Sequence, residues 1–521
     1  MSTLTRNIVY NIVGQIMLLG LSLFSVKYIY SRLGKEEFGI IVFTTFIVTL
    51  ATSVLEMGVG TAVREIAGHN KTEPQYVRNL IRTGASFYWG LAALLALGIY
   101  FLAPVLFDSW LKYRTMNKTE GVFILRVLGI SSMTQLLTVY YGSLFRGLQR
   151  MEYINITDVV TNVVQNGGTI IFLLVGATLH AVVYWIAACN FLRMAMLFWF
   201  AARFFTSGVL LPGYSKEVVK RNAGFSFQLM SITVFSIVHR NVDKILLSKY
   251  LMVDMLGYFT LVTTNINKSQ FLTNAISQAA YPALSEKFNM DDREGMMAQY
   301  NKLQDMTCYL LPPFMAFAVF AVHPVFSYFI AKDIADLIVF PAMLLAVAMY
   351  MNGTVNVPHV FSIAAGKPDI ASRTNFYGLF TVLPATFVLI YFGNRIQPGY
   401  GGLVGAGLSK VVYYFFAYIY GIPRVCRECF KTPPVRWFGR QAGFFAIIIL
   451  TYGIAWYLQD WLGKSSIVSL AAGYTAGSVI YMIAGYFNIG KELKMTIRSN
   501  ISMLAGKALK REKREVSVEI K

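Results

Sequence analysis

"SIVHRNVDKILLSKY", residues 236–250, sets Arg240, Asp243 and Lys244 within five positions in an otherwise apolar stretch. At bilayer depth an ionised side chain is tolerated where it faces a water-filled cavity or a partner. The stretch therefore asks whether the whole chain is a membrane protein with a wet interior. Composition answers the first half. The 521 residues are 56% hydrophobic and 14% charged, whereas soluble domains run to about a quarter charged. The fold class is an all-α, polytopic membrane protein.

Apolar stretches long enough to cross about 30 Å of hydrocarbon recur along the chain. They lie at 8–31, 37–62, 80–107, 121–144, 154–177, 181–205, 222–250, 255–283, 305–330, 334–362, 370–392, 402–423, 438–458 and 466–488. About fourteen transmembrane helices are expected. The first is too long for a signal-peptide core and is read as an uncleaved helix. Four cysteines (Cys189, Cys308, Cys426, Cys429) make no disulfide framework. Cys426-x-x-Cys429 lacks a second pair or a nearby histidine, so no metal site is expected. Outer loops of no more than about a dozen residues leave no room for an external catalytic domain. Gly463-Lys464-Ser465 lacks the upstream glycine of a phosphate loop, because position 458 is Leu. The chain is not expected to be an enzyme.

The net charge of +20 is distributed unevenly. With the amino terminus inside, and residues at the ends of a span counted with the side they adjoin, 30 of the 46 Lys and Arg fall on the inner side, 9 on the outer side and 7 deeper within the spans. This asymmetry places both termini in the cytoplasm. The basic excess is topological, and no nucleic-acid partner is implied. The tail from Lys491 keeps an apolar stripe at Leu493, Ile497, Ile501 and Leu504 between basic residues. It reads as a basic amphipathic segment on the inner membrane surface, with a solvated charged tail as the alternative.

The chain also repeats itself. Ser31 corresponds to Ser248, Gly39 to Gly257, Pro104 to Pro324 and Gly147 to Gly366, at offsets of 217 to 220. Six spans separate equivalent points, so the copies share one orientation and relate by an axis along the membrane normal. The expected organisation is an N-lobe at 1–213 and a C-lobe at 214–425, each of six helices. Two further helices occupy 426–490, and the cytoplasmic tail 491–521. On this register Lys27 matches Lys244, and Arg193 matches Lys410.

Polar stripes at helical spacing run along five spans. They comprise Asn7, Asn11, Gln15 and Ser22; Thr45, Thr49, Thr52 and Glu56; Asn155, Asp158, Asn162, Gln165 and Thr169; Thr233, Ser236 and Arg240; and Asn267, Gln270, Asn274 and Ser277. One stripe can serve as glue between helices. Stripes on five helices of both lobes point to a shared aqueous cavity. Its charges are Lys27, Arg126, Arg193, Arg240, Lys244, Lys268 and Lys410 against Glu56, Asp158 and Asp243. Arg126 lies close enough to the outer face to snorkel, as do Lys27 and Lys410. The surplus is positive, and in low dielectric it calls for an anionic substrate.

"LGKEEFGIIVF" (33–43), "EMGVGTAVREIAG" (56–68), "SLFRGLQRMEYINI" (143–156) and "NVDKILLSKYLMVDMLGYFTLVTT" (241–264) resemble the polysaccharide-biosynthesis flippases of the multidrug/oligosaccharidyl-lipid/polysaccharide superfamily. The resemblance implies a V-shaped pair of lobes around a cationic cavity. It implies transfer of an undecaprenyl-pyrophosphate-linked oligosaccharide, such as an O-antigen repeat unit, across the inner membrane by alternating access. The family's C-lobe charge motif falls on Asp243 and Lys244, with Arg240 a turn earlier. Lys27 stands where flippases of lipid-linked peptidoglycan precursors place arginines, which weakens that alternative. A multidrug/cation antiporter of the same superfamily would want an acidic cavity. The expected pyrophosphate-binding residues are Arg240, Lys244, Arg193, Lys27, Lys410 and Lys268. Glu56, Asp158 and Asp243 are expected to line the cavity or couple a proton or sodium ion, with no other cofactor. Polymerase and chain-length machinery are the expected protein partners.

Overall fold

The computed structural model describes residues 20–499 apart from 57–58, 70–71, 206, 269 and 462–466. The stripe positions Asn7, Asn11 and Gln15, the Gly463-Lys464-Ser465 stretch, and Ile501 and Leu504 of the tail lie outside the described residues. So do the side chains of Thr233 and Ser236.

Among the described residues the chain is helical and no strand forms. In order come α1 (20–33), α2 (Lys35–Leu55), α3 (Val59–His69), α4 (Pro74–Val105), α5 (Lys118–Gly147), α6 (Met151–Leu174) and α7 (Leu179–Phe204). After the short α8 (Ser207–Leu210) follow α9 (Lys216–Tyr250), α10 (Val253–Asn267), α11 (Gln270–Asn289), α12 (Arg293–Phe329), α13 (Lys332–Ala364), α14 (Pro368–Ile396) and α15 (Tyr400–Phe416). The last are α16 (Ile422–Arg424), α17 (Pro434–Ile448), α18 (Ile454–Trp461) and α19 (Ile467–Asn488). Local chemistry sets several boundaries. Pro74 opens α4, where its missing N–H costs nothing. The Asn117 side chain caps α5 by accepting from the Thr119 N–H at 3.0 Å. Gly366, at φ 74°, ends α13 by turning the chain so that the Lys367 N–H reaches the Ser362 carbonyl at 2.8 Å.

Ten described helical stretches are long and apolar enough to cross a membrane, by length and composition, where the sequence suggested about fourteen. The segments without a counterpart are 8–31, 222–250 and 255–283, each of which includes residues or side chains outside those described, and 154–177, which carries a polar stripe. The expectation of one helix over 255–283 is corrected: α10 ends at Asn267 and α11 begins at Gln270. Asn265, Asn267 and Lys268 cluster at that break, and Asn is a poor residue for continuing a helix interior.

Packing divides the chain into two compact units. The first comprises Met1–Thr260, Phe326–Ile334 and Thr386–Ala406. Its centre is α4, α5 and α7, where Tyr88 stacks on Tyr140 at 4.8 Å and the Tyr140 hydroxyl donates to the Ile81 carbonyl at 2.5 Å. The second comprises Leu261–Val325, Ala335–Ala385 and Gly407–Lys521. There α12 is tied to the last helices by buried polar contacts. Asp305 pairs with Arg440 and accepts from the Gly490 N–H at 2.7 Å. The Tyr481 hydroxyl donates to the Cys308 carbonyl at 2.7 Å. All four cysteines are buried free thiols.

Candidate functional site

The charges at membrane depth fall in both units: Lys27, Glu56, Asp158, Arg193, Arg240, Asp243 and Lys244 in the first, Lys268 and Lys410 in the second. Arg240 and Lys244 stand one turn apart on α9, so both side chains leave the same side of that helix. Arg240 is exposed, Lys244 is half-buried with its ammonium 5.7 Å from the centre of the Phe46 ring, and Asp243 is fully buried. None of the three is without a partner.

Arg193 and Asp158 meet. The Arg193 guanidinium donates to Asp158 Oδ1 through Nη2 at 2.6 Å and Nε at 3.0 Å, joining α7 to α6. Both side chains remain roughly two-fifths exposed, at 41% and 37%. An anion that reaches Arg193 must therefore share it with a resident carboxylate. Asp158 belongs to the half-exposed stripe that continues through Asn155, Asn162 and Gln165, and its carbonyl accepts from Asn162 Nδ2 at 2.7 Å. Glu56 ends α2 half-buried, and Arg146 is the cation that acts on it.

The two lysines expected to reach the outer interface differ in burial. Lys410, on α15, is only 6% exposed and has a partner. A lysine so deeply buried needs compensation. Lys27 places its ammonium 3.7 Å from the centre of the Tyr328 ring, a cation–π contact. Arg126 similarly covers Tyr100 at 4.7 Å. Lys268 is exposed at the break between α10 and α11.

Helix α9, which carries Arg240 and Lys244, is secured at both ends. At its start Arg221 pairs with Glu73 at 3.0 Å and meets His69 Nε2 at 3.0 Å, while Asn222 donates to the Tyr76 hydroxyl at 2.8 Å. That hydroxyl in turn donates to Glu65 at 3.0 Å. Burial alone would raise the Glu65 carboxyl. Hydrogen bonds from Arg64 and Tyr76, with the charges of Arg64 and His69, outweigh it and hold the group below the usual carboxylate range. At the other end of α9 a strap, residues 106–117, lies across the α9–α10 turn. It starts as a π-helical turn, Leu106–Trp110, after Pro104. Trp110 Nε1 donates to Ser248 Oγ at 2.9 Å, and Lys249 Nζ to the Ser109 carbonyl at 2.5 Å. Lys112 donates to the Tyr250 carbonyl at 3.1 Å, and its backbone forms a parallel β-bridge with Met252.

Sequence reasoning missed the residue that anchors this strap. Glu36, in the first turn of α2, accepts from the backbone N–H groups of Arg114, Thr115 and Met116 at 2.7, 2.9 and 2.8 Å. The Thr115 hydroxyl adds a fourth bond at 3.1 Å. Its only sequence signal is a carboxylate one turn before Gly39. That glycine and its repeat-mate Gly257 let α2 and α10 cross closely. A Cβ on Gly39 would stand 2.7 Å from the Val253 carbonyl, and one on Gly257 2.8 Å from the Phe38 ring.

Known proteins share this architecture. The structure resembles the lipid II flippase MurJ in an inward closed conformation, with a TM-score of 0.68 and 14% identity, covering 92% of this chain and 98% of that one. It also resembles an inward-facing multidrug-resistance MATE-family transporter of the MOP superfamily: TM-score 0.62, 12% identity, 78% of this chain and 94% of that one. The bent form of the Vibrio cholerae MATE transporter VcmN gives 0.51 at 14% identity, over 81% and 96%. A search of curated proteins finds no match. The model of the family described as "polysaccharide biosynthesis protein" matches residues 4–288, more than half of the chain. The family model covers more than half of the chain, so the chain belongs to the polysaccharide biosynthesis protein family, and its fold is the one that the flippase and MATE structures share.

Proposed function

We propose that this protein carries an undecaprenyl-pyrophosphate-linked oligosaccharide, an O-antigen or related repeat unit, from the inner to the outer leaflet of the cytoplasmic membrane by alternating access. One observation carries the reading: cations at membrane depth outnumber carboxylates, and Arg240 and Lys244 rise from one side of α9. A pyrophosphate is the anion such a surface suits, because it offers several acceptor oxygens to charge-assisted donors. Arg193, Lys27, Lys410 and Lys268 complete the set proposed to meet it. An organic-cation antiporter would need the opposite sign. Both termini are proposed to lie in the cytoplasm, and Glu56, Asp158 or Asp243 is proposed to hold a coupling proton or sodium ion. Lipid-linked glycan polymerisation consumes the product, which makes polymerase and chain-length proteins its neighbours; the chain itself makes or breaks no bond.

The test is translocation of a fluorescent polyprenyl-pyrophosphate-linked saccharide in liposomes, beside glycan export in cells. Arg240→Gln and Lys244→Gln should each lower transport by about tenfold at normal membrane abundance, the loss of one charge-assisted hydrogen bond. Arg240→Lys and Lys244→Arg should keep part of it. Full transport by both Gln variants would remove the proposal. Loss of transport with loss of abundance, restored when Arg240 and Asp243 are exchanged, would make the charges structural.

A further inference from the structure

In the second unit three connections meet around a cavity of about 220 Å³: the α11–α12 turn, the α13–α14 turn, and the π-helical segment Val425–Phe430. Its wall is apolar, formed by Phe288, Met296, Met297 and Phe361. Its rim is charged, and most of those charges are already spoken for. Lys287 pairs with Asp292 at 2.9 Å, and its hydrogen bond holds that carboxyl below the usual range. Lys367 pairs with Glu428 at 3.3 Å.

Two rim groups differ. Arg293 Nη2 donates to the Cys429 carbonyl at 3.2 Å, and among the described residues no carboxylate lies within ion-pair distance of it. A guanidinium has five N–H donors, so most of its capacity remains. Asp291, two residues earlier, lines the same cavity and has no ion-pair partner among the described residues. One uncommitted cation and one uncommitted carboxylate therefore share an apolar-walled cavity. A di- or trianion would meet too little positive charge there, and a plain cation too little negative charge. A zwitterion meets both.

We propose that this cavity binds an aminophospholipid headgroup, its phosphodiester on Arg293 and its primary ammonium on Asp291. The first carbons of the lipid lie against Phe288 and Phe361. The depth is right for it. Under the orientation set by the charge asymmetry all three connections lie on the inner side, and Phe288 and Met290 project from the same turn at 47% and 68% exposure, as anchors at headgroup level do. Soluble glycerophosphoethanolamine, a phosphodiester, has the same two charges but nothing to cover the apolar wall. The inference uses that orientation but not the identity of the transported lipid, so transport assays and this test fail separately.

The experiment is native mass spectrometry of the full chain released from nanodiscs of equal phosphatidylethanolamine, phosphatidylcholine and phosphatidylglycerol content. Wild type should retain phosphatidylethanolamine about fivefold over phosphatidylglycerol, which lacks one interfacial charge, and about fivefold over phosphatidylcholine, whose quaternary ammonium is equally charged but has no N–H to donate to Asp291. Asp291→Asn should abolish the preference over phosphatidylcholine. That variant suits the site, because Asp291 has φ 55° and Asn adopts that region readily. Arg293→Gln should lower retention of all three, and Arg293→Lys should restore part of it. Preference for phosphatidylglycerol, equal retention of the three, or unchanged retention in both Asp291→Asn and Arg293→Gln would each overturn the proposal. Displacement of the lipid by soluble glycerophosphoethanolamine at equal concentration would overturn the role of the apolar wall, and with it the lipid.

Discussion

At the scale of single residues, the Arg193–Asp158 pair decides how the cationic surface works. Two-fifths exposure on each side means solvent screens the pair, so its worth to folding is about 0.2–1 kcal/mol. Its worth to transport is a separate quantity. If Arg193 receives the pyrophosphate, Asp158 is its competitor, and removing the competitor should strengthen binding. Asp158→Asn is then expected to bind the pyrophosphate lipid several-fold more tightly, while Arg193→Gln lowers export about tenfold at normal abundance, the loss of one charge-assisted bond. Binding measured by quenching of a labelled lipid checks the first, and cell-surface glycan the second. Restoration of export by the Asp158→Arg, Arg193→Asp exchange would show a tie between α6 and α7 and nothing more. Both residues were legible in the sequence, as a polar stripe and a mid-helix cation. Their contact was not, because 35 residues and a helix turn separate them and periodicity says nothing about which stripe faces which.

At the scale of elements, the strap and the α9–α10 turn behave as one clasp. The flippase reading requires this end to part when a bulky saccharide passes. Residues in a parallel bridge lie on adjacent chains about 4.8 Å apart, within the Cα separations a disulfide accepts. Lys112→Cys with Met252→Cys should therefore cross-link on mild oxidation, stop export, and recover on reduction. The four native thiols are buried and will not compete. A cross-linked protein that exports at the normal rate would show that the clasp never opens. Hydrophobicity revealed the apolar helices well, but it read 255–283 as one span because it is blind to a break as short as the turn at Lys268. Gly39 and Gly257 stood out as repeat landmarks; that they sit where α2 and α10 cross was visible only in the fold.

At the scale of the molecule, orientation is the expectation with the widest consequences, since the lipid cavity and the direction of transport both depend on it. Cys426 is buried and makes a poor probe. Exposed Lys118 and Lys431 serve better. Lys118→Cys should react with an impermeant maleimide in intact cells, and Lys431→Cys only after permeabilisation. The reverse pattern would invert the membrane. The strap itself carries a further consequence. Glu36 grips main-chain N–H groups, Val253 N–H bonds the Lys112 carbonyl, and Lys249 and Lys112 reach main-chain carbonyls. Contacts made to the backbone leave the side chains on that partner free to drift. Across related genomes Arg114, which meets Glu36 through its main chain, can diverge while the clasp persists. Selection would register at Glu36 and at the strap positions that act through side chains, Lys112 and Thr115.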